Sequence, residues 1–244
     1  MPTPKKLKPT AKARRAPRAR VESADTFVSR AMSLVKRRKH EEAAEQFLAA
    51  SKLEPANWRL PNDAGECYFL AGRFVEALRC YRTAMMMMPD MATVLFNRGM
   101  AQAQLGEEHD AFVTLQHVLE LEEGHSGAYL EIGKLHVAAG RHWDAIDAFD
   151  AALRQQSIDA RTTALALREK ARLLLGPLHR EAEGLDVIAT LWEHTGDSGT
   201  LVALAQEILE AAKPRAARIL DVVLADMPSE PRALKLRTKL TRRS

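Results

Sequence analysis

The residues of this chain that could do chemistry are few, and their spacing argues against it. Cys67 and Cys80 are its two thiols. They fall on two antiparallel helices of one repeating unit and so can lie near each other, but packing as small hydrophobes is expected ahead of a redox or zinc role. The eight histidines do not pair at the spacing that puts two ligands on one helix face; His136 and His142 are six apart and straddle a turn. No glycine-rich phosphate loop is present, because each glycine has a place in a repeat described below. No catalytic residue, metal site or cofactor is therefore expected, and the chain reads as a non-enzyme.

The elements that carry these residues are helical. Hydrophobic residues make up 46% of the 244 positions, charged residues 28% and aromatics only 5%. Alanine and leucine fill the apolar places, both favour helix, and no strand-like alternation occurs. The chain is expected to be all-α. It contains no run of 18 apolar residues, so no membrane span is expected. The basic N-terminus lacks the apolar stretch of a secretory signal, and two thiols make no disulfide framework. The expected location is cytoplasmic.

A fixed period organises the helices. Ala43, Ala77, Ala111 and Ala145 are separated by steps of 34 residues. Each opens a small–large–small pattern: Ala43, Phe47, Ala50; Ala77, Tyr81, Ala84; Ala111, Leu115, Val118; Ala145, Phe149, Ala152. Pro55 and Pro89 close the first two units. Gly65, Gly99 and Gly133 recur at the same spacing inside the preceding helix, with Ala31 in that place in the first unit. A residue without a side chain there lets the paired helix approach closely. Gly72, Gly106 and Gly140 follow seven residues later, where a helix ends in a left-handed residue. A period of this kind marks a solenoid, in which each unit covers the apolar face of its neighbour.

The pattern resembles the tetratricopeptide repeat (TPR) family over residues 24–159. The resemblance implies a right-handed TPR superhelix, an α-solenoid of helix-turn-helix repeats at 24–57, 58–91, 92–125 and 126–159. Beyond it the pattern decays. Two degenerate TPR-like repeats are read at roughly 160–196 and 197–230, where Ala216, Leu220, Val223 and Pro228 restore the spacing. A basic capping helix follows at 231–244, with Leu236 and Leu240 toward the core. Residues 1–22, rich in Lys, Arg, Ala and Pro, read as a disordered basic N-terminal tail.

The resemblance also implies where a ligand would lie: on a concave face lined by the first helix of each repeat. Carried onto this chain, the lining residues include Val28 and Met32, then Asn62, Glu66 and Phe69, then Phe96 and Met100, then Leu130 and Lys134. The face is largely apolar. Val28 and Met32 stand where some family members place the first Lys and Asn of a carboxylate clamp, so a chaperone-tail ligand of the heat-shock type is not expected. Polar Ser29, Asp63, Asn97 and Glu131, one place on, could bond a peptide backbone. For Phe69, Leu70 and Val137 a core role is equally open. The run Met85–Met88 ends a helix; it can make an adaptable surface for varied partners or fill gaps against the next repeat, and gap-filling is the favoured reading.

The implied function is a non-catalytic scaffold or chaperone that binds a peptide segment of a partner protein in an apolar groove. A narrower resemblance, to the TPR chaperones of type III secretion systems that hold translocator proteins, rests on the apolar groove, on AAEQFLAASKLEP and on Gly65-Glu66-Cys67. A different class comes from charge. Residues 1–20 carry eight Lys or Arg and no acid, and 231–244 carry six and no acid, so the net charge of +4 leaves the segment between them at −10. Basic ends of this kind fit a nucleic-acid or ribonucleoprotein assembly factor, or contact with an anionic surface. Self-association through 160–230 is a further expectation.

Overall fold

A computed structural model describes residues 22–208 and 213–241. The expected disorder of the N-terminal tail concerns residues that lie outside the described ones, apart from Glu22. Among the described residues there are thirteen helices and no strand. They are α1 Ala24–Lys36, α2 His40–Leu53, α3 Arg59–Leu70, α4 Phe74–Met85, α5 Ala92–Gln104, α6 Glu108–Leu121, α7 Ser126–Ala138 and α8 His142–Leu153. The chain continues through α9 Ala160–Leu175, α10 Glu181–Thr195, α11 Ser198–Ile208, α12 Lys213–Asp226 and α13 Pro231–Thr241. Each packs on its neighbours in sequence, which is the solenoid arrangement.

Helix boundaries follow local chemistry. Ser23 caps α1 by accepting from the Thr26 amide, and Asp159 caps α9 by accepting from the Arg161 and Thr162 amides at 2.9 and 3.0 Å. Asp197 does the same for α11 through the amides of Gly199 and Thr200. The turns inside the repeats need a left-handed residue. Gly72, Gly106 and Gly140 supply it with φ of 76°, 79° and 72°. In the first repeat the same place is held by Arg38, at φ 58°, a conformation that costs a residue with a Cβ.

The repeating core is built from the predicted positions. Ala43, Ala77, Ala111 and Ala145 are completely buried, and the large residue four places on in each unit (Phe47, Tyr81, Leu115, Phe149) is buried too. Small residues on the partner helix make room for them. A Cβ placed on Gly65 would lie 2.5 Å from the Tyr81 ring, and one on Gly133 would lie 2.4 Å from the Phe149 ring. The first and second helices of these repeats are thus held at a separation that a methyl group would not permit.

First helices also touch first helices. Helix α3 contacts α5 and α5 contacts α7, whereas α4 and α6, which are second helices, make no comparable contact. The row of first helices is therefore the shorter side of the curve, and it forms the inner face. At the far end, α9 to α13 share one core that includes Leu175, Leu191, Leu204, Ile219 and Leu236. Helix α13 closes it with buried Ala233 and Leu236 and the partly buried Leu240, and Arg237 bonds Asp221 of α12 at 2.9 Å.

Candidate partner-binding groove

Helices α1, α3, α5 and α7 bring one residue per repeat onto a common line. Met32, Glu66, Met100 and Lys134 recur every 34 residues, and none of them is buried. Met32 is 53% exposed, the Met100 side chain is half-buried, and Lys134 pairs with Glu131 one turn earlier at 2.7 Å. Of the expected lining Met32 and Glu66 are exposed, while Met100 and Lys134 are half-buried, as Val28, Phe69 and Phe96 are.

The line beside it is set deeper. Val28, Asn62, Phe96 and Leu130 hold the next equivalent place. Val28 packs partly against the first core cluster, Phe96 is half-buried with its ring 4.7 Å from that of His125, and Leu130 is 4% exposed inside a core cluster with Phe149 and Leu173. Leu130 is thus a core residue: α9, which continues the solenoid, covers this end of α7. Asn62 and Asn97 are both buried, and the Asn97 amide Nδ2 donates to Asn62 Oδ1 at 3.2 Å. That bond ties α3 to α5 beneath the groove and satisfies groups that would otherwise be costly to bury. Phe69 is half-buried, edge-on to Phe74 with centroids 5.3 Å apart, while its neighbour Leu70 is 56% exposed.

Carboxylates edge the apolar stripe. Burial pushes the Asp63 carboxyl above its usual range; the charge of Glu66 adds to that, while the Asn62 amide and Arg59 oppose it. Glu66 is exposed and makes no ion pair among the described residues. The inner face therefore offers large apolar side chains, Glu66 with no ion pair among the described residues, Asp63 under the influence of Arg59, and one paired lysine.

Neither thiol is set up for chemistry. Cys67 and Cys80 are buried and unbridged, and burial pushes their thiols up to about 12 and about 11, with Glu66 and Glu76 respectively adding to the effect. His136 is engaged by its neighbours: its Nδ1 accepts from Arg141 Nε at 2.9 Å and its ring lies edge-on to Phe112. Among the described residues no three His, Cys, Asp or Glu side chains cluster as metal ligands would, and no helix is long and apolar enough to cross a membrane.

The Met85–Met88 run departs from the gap-filling role expected of it. Met85 does pack against two core clusters, but Met86 is 82% exposed and Met88 41%. Helix α4 ends at Met85, so the following methionines sit on a turn that leaves the core. The sequence carries no signal that separates the two outcomes.

Curved rows of paired helices with this period define a class: the α-solenoid of helix-turn-helix repeats. The family model described as "Tetratricopeptide repeat" matches residues 28–84, from α1 to α4. Residues 28–84 thus match the tetratricopeptide repeat, and the helices after them continue the same solenoid fold. Solved structures agree in fold. One from the APC/C hetero-tetramer Cut9-Hcn1 superposes with a TM-score of 0.68 over 89% of this chain and 43% of its own, at 20% identity. A Pseudomonas aeruginosa pilF structure gives 0.64 over 88% of this chain and 97% of its own, at 15% identity. A mouse relative, Superkiller complex protein 3, is 24% identical over 115 residues, which are 47% of this chain and only 7% of that protein.

Proposed function

We propose that this protein is a non-catalytic scaffold that holds a peptide segment of a partner protein along the inner face of α1, α3, α5 and α7. The observation that carries the proposal is the line Met32, Glu66, Met100 and Lys134, one outward side chain per repeat on the shorter side of a curved solenoid. A ligand laid across the repeats meets apolar anchors in alternation with charge. Burying what remains exposed of Met32, Met100 and Phe96 would contribute about 2–5 kcal/mol gross. Ordering the peptide and losing its free motion cost several kcal/mol, so these anchors alone give weak, readily reversible binding to which charge contacts must add. Binding of that kind suits an adaptor or a handover chaperone. Two buried, unbridged thiols fit a reducing compartment such as the cytoplasm.

The expected partner has large apolar residues and at least one basic residue, because Glu66 is exposed beside the stripe with no ion pair among the described residues. Self-association through 160–230 has little apolar surface to use: in that stretch and the helix after it, Met227 and Leu234 are the exposed large hydrophobics among the described residues.

The test is capture from native lysate with wild type beside a Met32→Glu, Met100→Glu variant. Both sites are at the surface or half-buried, and circular dichroism checks that the helices persist. A partner held by wild type and lost with the variant supports the groove. Unchanged capture sinks it and moves attention to the basic ends.

A further inference from the structure

The second helices carry a groove that inner-face binding does not use. It lies between α4 and the start of α6, with α5 as its floor, and has a volume of about 800 Å³. An adjoining hollow of about 530 Å³ continues it along α6 and shares Met85, Arg98 and Asp110 with it. Four of the twelve exposed large hydrophobics among the described residues line these two hollows: Val75, Met86, Leu105 and Val113. Apolar side chains are thus concentrated here, and the exposed methionine adapts readily to varied partners.

In the larger hollow the charges are sorted by wall; the adjoining one holds Asp90, 3.9 Å from His117 of α6. Arg79 and Arg82 of α4 and Arg98 of α5 line one side, and none has an ion-pair partner among the described residues. Glu76, on whose carboxyl Arg79 acts, is already paired with Arg73. The Arg98 guanidinium has only the Met85 sulfur, at 3.9 Å. Glu107 and Asp110 line the opposite side, equally without a cation.

We propose that this groove binds an amphipathic α-helix of a second protein, its apolar face flanked by acidic residues toward α4 and basic residues toward α6. Charge complementarity sets the flanks. The helical form follows from the walls, whose backbone amides are spent within their own helices. An extended peptide would find no backbone partners along these walls, whereas a helix satisfies its own. Helix α4 has 12 residues, so the occupant spans about 18 Å, or three turns. The site is separate from the inner face and stands or falls independently of it.

The probe is a synthetic helical peptide with a leucine face, glutamates along one edge and lysines along the other, followed by fluorescence anisotropy against the full chain. Wild type is expected to bind it, and Arg79→Glu, Arg82→Glu to weaken it about tenfold. A second peptide with lysines on both edges should bind that variant better than it binds wild type. Met32→Glu, Met100→Glu should bind the first peptide as wild type does. The proposal is overturned if wild type does not bind the first peptide, or if the arginine variant, shown folded by circular dichroism, binds it unchanged. It is also overturned if the inner-face variant is the one that loses binding, or if sedimentation shows this groove filled by a second copy of the chain.

Discussion

Replacing Gly133 with alanine tests whether close helix approach holds the repeats in register. The added Cβ would lie 2.4, 2.6 and 3.0 Å from three atoms of the Phe149 ring. Carbon atoms in contact prefer about 3.5–4.0 Å, so the ring or the helix must move by about 1 Å. Phe149 is completely buried in a cluster with Leu130, Ile146 and Leu173, and a flat ring there has no free rotamer to adopt. Overpacking of this kind costs about 1–3 kcal/mol. Alanine recovers about 1 kcal/mol of helix propensity over glycine. The net expectation is a loss of up to about 2 kcal/mol. Gly99→Ala is the control. Its Cβ would lie 2.9 Å from the Cγ and Cδ2 atoms of Leu115, and leucine has other rotamers, so gain and loss nearly cancel. Urea unfolding followed by circular dichroism measures both, with the slope checked for constancy. In a Phe149→Leu background the Gly133→Ala penalty should shrink by about 1 kcal/mol, the coupling expected of touching residues. Equal losses at Gly99 and Gly133, or a more stable Gly133→Ala protein, would refute the reasoning.

Arg38 occupies the left-handed place that glycine fills in the next three repeats. Arg38→Gly should therefore raise stability by about 0.5–1 kcal/mol, after the greater freedom of glycine in the unfolded chain is subtracted, and thermal melting reads it. Burial raises the Cys67 and Cys80 thiols to about 12 and about 11 from an ordinary 9.0, and raises the Tyr81 hydroxyl as well. The neutral forms are the ones the fold accommodates, so their stabilisation is whole below pH 9 and is lost as pH rises through the raised values; urea midpoints from pH 7 to 11 should be flat and then fall. The same thiols should resist alkylation at neutral pH until the protein is unfolded. Deleting residues 1–21 removes eight cations. Partner capture should survive that deletion if the inner face is the site, while a salt-dependent loss of nucleic-acid binding would support the assembly-factor reading.

Much of the fold was legible because its determinants repeat locally. The alanine of each second helix, the large residue four on and the glycine of the first helix recur at one spacing, and all of them are buried. The expected lining was legible in outline only. Equivalent places in successive repeats differ in exposure: Val28 and Phe96 are half-buried, while Asn62 and Leu130 are in the interior. A position in a repeat sets the direction of a side chain, but the neighbouring helix decides whether that direction is open. At Leu130 the covering element is α9, whose own sequence no longer follows the period.

The resemblance to the tetratricopeptide repeat family supplied the list of side chains that could face a ligand, while the sequence by itself determined the helical class, the repeat period and the pairing of helices within each repeat. Those follow from propensity and from contacts that a short stretch of chain makes with itself or its next repeat. Tertiary structure decided which listed side chains are free. It withdrew Leu130 into a core, joined Asn97 to Asn62 beneath the groove, left Met86 in the open and set three arginines, with no ion pair among the described residues, on a groove of the second helices. Accessibility and ion pairing depend on how curved rows of helices stack, and no single repeat contains that information.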